Sequence, residues 1–100
     1  MKIDNIKKLE ELLLGDAGLL ITLRLGNGLN IKKADEIIKI LETLSNEWAD
    51  KDYIPKKAAE LFIDFYPAME SACGLYSDDE SINIMDVADK IVDLIRDCVI

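Results

Sequence analysis

Apolar residues recur along most of this chain at intervals of three and four, the period of an amphipathic helix rather than a strand. Ile6, Leu9 and Leu13 define one such face between Asp4 or Asn5 and Leu14, with Asp4 placed to cap the start and Gly15 just past the end. A longer pattern, Ala34, Ile37, Ile38, Leu41, Leu44, Ser45 and Trp48, predicts a helix from a cap at Asn30 to Trp48. Lys32, Asp35, Lys39, Glu42 and Asn46 fall on its opposite side. After the polar turn Asp50-Lys51-Asp52, Pro55 is expected as the first residue of another helix, where a missing N–H costs nothing. The stripe of that helix is Ala58, Leu61, Phe62, Phe65, Met69, Ala72 and Cys73. It keeps its register across Pro67, which predicts a kinked helix or two short stacked ones ending at Gly74. A loop from Leu75 to Ser81 then leads to a last helix, capped by Ser81 or Asn83, that buries Ile84, Val87, Ala88, Ile91, Leu94, Ile95 and Cys98.

One segment reads two ways. Asp16 can cap a short helix ended by Gly26, yet Ile21, Leu23 and Leu25 alternate with Thr22 and Arg24 before Asn27-Gly28, a hairpin turn signal. Helix is favoured, because only Leu29 to Ile31 is left as a return strand and an isolated hairpin is marginal.

With 100 residues, half of them apolar and 32% charged, the chain suits one folded domain spanning residues 1–100. Short connections between amphipathic helices predict an all-α, antiparallel bundle of four to five of them.

The chain carries a net −8, and it is unevenly placed: net −1 through Lys51 and net −7 after it. Between Lys57 and Lys90 there is no basic residue, while Glu60, Asp64, Glu70, Asp78, Asp79, Glu80, Asp86 and Asp89 are all acidic. A surface of one sign attracts partners of the other and speeds their encounter, so the expected partner is a basic protein. The same charge disfavours direct binding of nucleic acid through its phosphates.

The absence of histidine removes the commonest general base and neutral metal ligand. No phosphate-binding loop, dinucleotide fingerprint, metal cluster or nucleophile–base pairing is found, so the expectation is a protein that is not an enzyme and carries no cofactor. The charged N-terminus lacks the apolar stretch of a signal peptide, and Leu19 to Leu25 is far shorter than the roughly 18–20 residues that span a bilayer. A cytoplasmic location without membrane contact is therefore expected, with Cys73 and Cys98 as reduced thiols on apolar faces. Trp48, Tyr53, Phe62, Phe65 and Tyr66 lie on or beside the apolar stripes and read as core.

The acidic side of the last helix, Asp86, Asp89, Asp93 and Asp97, has the ordinary reading of a solvated face. What that leaves unexplained is the shortage of cations, since Asp86 with Lys90 and Asp93 with Arg96 are the available neighbours. The segment Tyr76, Asp78, Asp79, Glu80 joins an aromatic ring to three carboxylates, the composition of an interface hot spot, against the plainer reading of a polar loop with Tyr76 packed down. Calcium is disfavoured there, because an EF-hand beginning at Asp78 puts Asn83 where Gly is needed and Asp89 where a bidentate Glu belongs. Glu80-Ser81-Ile82 resembles the phosphopantetheine site of acyl carrier proteins, but only one helix follows the serine.

The stretch ELFIDFYPAMESACGLYSDDESINIMDVADKIVDLI is similar to the C-terminal half of colicin D-type immunity proteins. It has an aromatic-rich helix, an acidic loop after a Cys and a Tyr, and a final amphipathic helix. Immunity proteins of contact-dependent growth inhibition systems share the role. The resemblance implies a helical bundle whose Asp78, Asp79 and Glu80, with Asp64 and Glu70 nearby, occupy the basic cleft of a toxin nuclease as substrate phosphates do. The partner-binding set expected is Asp64, Glu70, Tyr76, Asp78, Asp79, Glu80, Asp86 and Asp89. An acidic regulatory or nucleic-acid-mimicking protein of phage type is the alternative.

Overall fold

A computed structural model of the chain describes residues 5–99, in which five α-helices enclose one hydrophobic core. They are α1 (Asn5–Leu14), α2 (Leu19–Arg24), α3 (Ile31–Trp48), α4 (Lys56–Ala72) and α5 (Asp78–Val99), with a 3₁₀ turn at Cys73–Leu75. No strand occurs among the described residues. The expected cap at Asp4 lies outside them.

The ambiguous segment is helical. Leu19, Leu20 and Leu23 are buried, whereas Leu25, which the alternating pattern would place inside, is 67% exposed. The end of α2 is a Schellman motif: Asn27 N–H donates to the Thr22 carbonyl (2.9 Å) and Gly26 N–H to that of Leu23 (3.0 Å). Gly26 takes φ +79°, so the Gly and Asn that resembled a hairpin turn are a helix stop. The start of α2 is also displaced from expectation, since Gly18 rather than Asp16 is its N-cap. α2 leaves α1 so sharply that a Cβ at Gly18 would lie 2.6 Å from the Leu13 carbonyl oxygen.

α3 begins as its sequence predicts, with Asn30 Oδ1 accepting from Lys33 N–H at 3.1 Å. Its buried face is wider than the simple stripe and includes Ile40, because α1 packs on one side and α5 on the other. Pro55 caps α4 instead of opening it: its ψ of 142° is extended, and its carbonyl accepts from Ala58 and Ala59 N–H. α4 runs unbroken through Pro67. Both Pro67 and Ile63, whose carbonyl loses its helical partner, are exposed, which lowers the cost of that proline.

Of the aromatic residues, Phe65 is fully buried, and Trp48 and Phe62 are half-buried in an edge-to-face pair with centroids 6.5 Å apart. Tyr53 and Tyr66 are not core. Tyr53 stands 78% exposed in the connection before α4, and Tyr66 lies on the exposed side of that helix.

Helix directions follow from contacts at each end. Ser45 Oγ–H donates to the Asp97 carbonyl and Cys98 Sγ–H to that of Leu41, both at 3.4 Å, while Ile31 faces Ile84 and Val87 at the other end. α3 and α5 therefore run the same way. Asn5 Nδ2 donates to the Glu47 carboxylate (3.0 Å), setting α1 against α3, and the short 3₁₀ turn sets α4 against α5. The result is an antiparallel bundle with α1 and α4 opposed to α3 and α5. Lys57 bridges α4 to Glu10 of α1 at 2.6 Å, an exposed pair of small energetic weight that holds the Lys57 ammonium above its ordinary pKa.

Cys73 and Cys98 are free thiols, the first half-buried and the second buried. Burial, with the Asp97 charge beside it, pushes the Cys98 thiol up to about 11 from its ordinary 9.0. The folded protein therefore keeps its proton where the unfolded chain loses it. That contribution is complete below pH 9 and is lost as the pH rises toward 11. Unfolding free energy measured by denaturant across this window is expected to fall more steeply in the native protein than in Cys98→Ala; equal slopes would contradict the assignment.

Candidate protein-binding surface

The loop expected from Leu75 to Ser81 is mostly helix. Ser77, not Ser81 or Asn83, caps α5: its Oγ accepts from Glu80 N–H at 3.2 Å and its hydroxyl donates to the Glu80 carboxylate at 3.1 Å. This Ser-x-x-Glu arrangement is a form of capping box, and it makes Asp78, Asp79 and Glu80 the first turn of α5. Ser81 instead points back, its half-buried hydroxyl donating to the Cys73 carbonyl at 3.1 Å.

Helix position separates the acids into two kinds. Negative charge in a first turn is favourable by about 0.3–1 kcal/mol per group, so Asp78, Asp79 and Glu80 stabilise α5 without any partner. Asp86, Asp89, Asp93 and Asp97 have no such cause. Asp89 repels Asp93 and Asp93 repels Asp97 at i, i+4 spacing, and Asp97 lies near the negative end of the helix dipole. Neither Lys90 nor Arg96 closes onto them: among the described residues no ion pair reaches a carboxylate of α5.

These side chains are exposed and share the outward side of one continuous helix. Asp79, Asp86 and Asp93 succeed one another every two turns, and from Asp79 to Asp97 the row extends about 27 Å. Asp78 and Asp89 flank it. Ile82 sits inside this row, four residues from both Asp78 and Asp86, and is 59% exposed.

Beside the row, the start of α3 and the first half of α5 leave a groove of ≈ 440 Å³. Leu29, Ile31, Ile84 and Val87 line it with the carboxylates of Glu80 and Asp86. Tyr76 forms one wall. Its hydroxyl donates to the Leu23 carbonyl (2.8 Å) and accepts from Gly28 N–H (3.0 Å), tying the α2–α3 connection to the start of α5. Both bonds are partly buried and each is worth about 1 kcal/mol. Tyr76 is therefore packed down, with its polar tip used inside the fold and its ring left facing the groove.

Asp64 and Glu70 do not join this surface as one patch. They are six residues apart on α4, which puts them about 120° from each other around its axis. Asp64 follows Lys57 and Glu60 on the flank that meets α1, and Glu70 lies on the other side. Of the eight expected residues, Asp78, Asp79, Glu80, Asp86 and Asp89 are gathered on α5, with Tyr76 at their edge. Pattern reading missed Ile31 and Ile82 as exposed aliphatic groups next to acids. For Ile82 the signal was present, since it falls outside the buried stripe. Extending the row to Asp93 and Asp97 needed only the i, i+4 spacing.

Among the described residues no set of three His, Cys, Asp or Glu side chains is arranged to hold a metal ion, and no helix is long and apolar enough to cross a membrane. What remains is a long anionic face whose carboxylates form no ion pair among the described residues, with an aliphatic groove at one end. Neither a family model, nor a curated protein, nor a solved structure matches this chain.

Proposed function

We propose that the protein is an immunity-type inhibitor, an acidic helical bundle that covers the active-site cleft of a basic toxin nuclease domain. The observation that carries this reading is the row from Asp79 to Asp97, which lies on one side of α5 where carboxylates outnumber cations and where, among the described residues, no carboxylate is ion-paired. Self-repulsion of that kind lowers stability and is tolerated where the charge has a use. In the complex, these carboxylates take the positions of substrate phosphates, accepting from Arg and Lys side chains in the cleft. An interface of standard size, about 1,600 Å² in total, is sufficient for specific binding.

The test is co-production with the product of the adjacent open reading frame, which this reading expects to be a basic toxin nuclease. Native protein is expected to protect the cells. Asp86→Lys/Asp89→Lys/Asp93→Lys is expected to lose protection and to associate roughly tenfold or more slowly at low salt, with a flatter salt dependence. Protection by the charge-reversed variant equal to that of the native protein would sink the proposal.

The continuity of the row along a single helix also supports a second reading, a mimic of a nucleic-acid backbone that occupies the binding surface of a regulatory protein. Displacement of duplex DNA from a DNA-binding partner, without protection against a nuclease, would favour it.

A further inference from the structure

The groove between α3 and α5 is not accounted for by charge. A solvated acidic face has no need of Ile31, which is 56% exposed beside Leu29 and Val87 in a concave site. Glu80 and Asp86 are among its lining residues, and neither forms an ion pair among the described residues, the Glu80 carboxylate accepting only from the Ser77 hydroxyl. Lys32 and Lys33 follow Ile31 in sequence but do not line the groove. An aliphatic pocket edged with anions suits a guest that carries an apolar side chain between cations. A lipid surface rich in anionic headgroups is repelled by this rim, and so is a second copy of a chain with net charge −8.

We infer that this groove receives an apolar side chain of the basic partner, flanked in its segment by Lys or Arg that reach Glu80 and Asp86. The inference rests on the proposed binding of a basic protein and adds what that reading lacks, an anchor. Long-range attraction along α5 sets how fast the partner arrives, whereas the buried aliphatic contact sets how long it stays. It also gives a source of selectivity, since any polycation is drawn to the carboxylate row but only one of the right shape fills the groove.

Two synthetic peptides separate these contributions. One repeats Lys-Leu-Ala-Lys-Leu-Ala-Lys, so that its leucines recur three and four residues apart on one side of a helix, and the other is the same peptide with every Leu replaced by Ser. The Leu peptide is expected to bind roughly ten- to a hundredfold more tightly, the ratio that follows from burying one aliphatic side chain. Its binding is expected to shift the amide resonances of Ile31 and Val87. Ile31→Ser, at an exposed position that leaves the core intact, is expected to reduce its affinity to that of the Ser peptide, and Val87→Ser serves as the second variant. Equal affinities, with shifts confined to residues 89–97, would overturn the groove while leaving the acidic face in place. Failure of both peptides to bind at low salt would overturn the groove and the proposed function together. An uncharged Leu-Ser-Ala peptide binding as tightly as the Lys-Leu-Ala peptide would show that the guest need not be cationic, and that part of the inference would fall.

Discussion

Phe65→Ala is expected to cost about 3–5 kcal/mol of folding free energy, the range for emptying a fully buried aromatic site. Phe65 lies where Leu9 and Leu13 of α1, Ile37 and Leu41 of α3, and Ile91 of α5 converge, so four helices lose a shared contact at once. Those neighbours are held by their own helices and cannot close the gap without moving a backbone. Domains of this size are stable by about 5–15 kcal/mol, so the variant retains only part of the native margin. Thermal or denaturant unfolding measures the loss. Phe62→Ala is the internal control: its ring is half-buried, in edge contact with Trp48, and a smaller penalty is expected. A loss at Phe65 no larger than at Phe62 would contradict this account of the core.

Gly18→Ala is expected to destabilise by about 1–3 kcal/mol, although it adds a single methyl group. The new carbon would lie 2.6, 2.7 and 2.8 Å from the Leu13 oxygen, the Leu13 carbonyl carbon and the Leu14 nitrogen. All three belong to the α1 backbone, so no rotamer change relieves the clash. Relief requires lifting α2 from α1, which withdraws Leu19, Leu20 and Leu23 from the core. Gly74→Ala provides the contrast, because nothing lies within 4 Å of its Cβ position and a change of less than about 0.5 kcal/mol is expected. The gap between the two variants in denaturant midpoint is the measurement, and equal midpoints would refute the close-approach argument.

The long helices α3, α4 and α5 were legible because each buries a stripe at helical period, and α3 also because Asn30 marks its start. Errors gathered at the ends of elements. Ser77 is obscured in the sequence because the acids after it resemble a loop, although Ser-x-x-Glu is itself a start signal. At α2, Gly and Asn carry the same local conformational freedom in a hairpin turn and in a Schellman motif. Only burial of Leu19 and Leu20 against exposure of Leu25 separates the two. Asp64 illustrates a different limit: its charge is plain from sequence, but which neighbour its flank of α4 meets depends on how α4 sits between α1 and α5. The groove is of the same kind, since Ile31 and Val87 are 56 positions apart and their meeting depends on α3 and α5 running in the same direction.

The two hydrogen bonds of Tyr76 have a consequence for any guest. One wall of the recess is already braced by the fold, so an incoming side chain meets a rigid jaw instead of a floppy strand that must first be frozen. The entropy of shaping that wall is spent while the polypeptide folds, not at the moment of capture. Complexes built on such braced seats tend to dissociate slowly, as the proposed inhibition of a toxin requires.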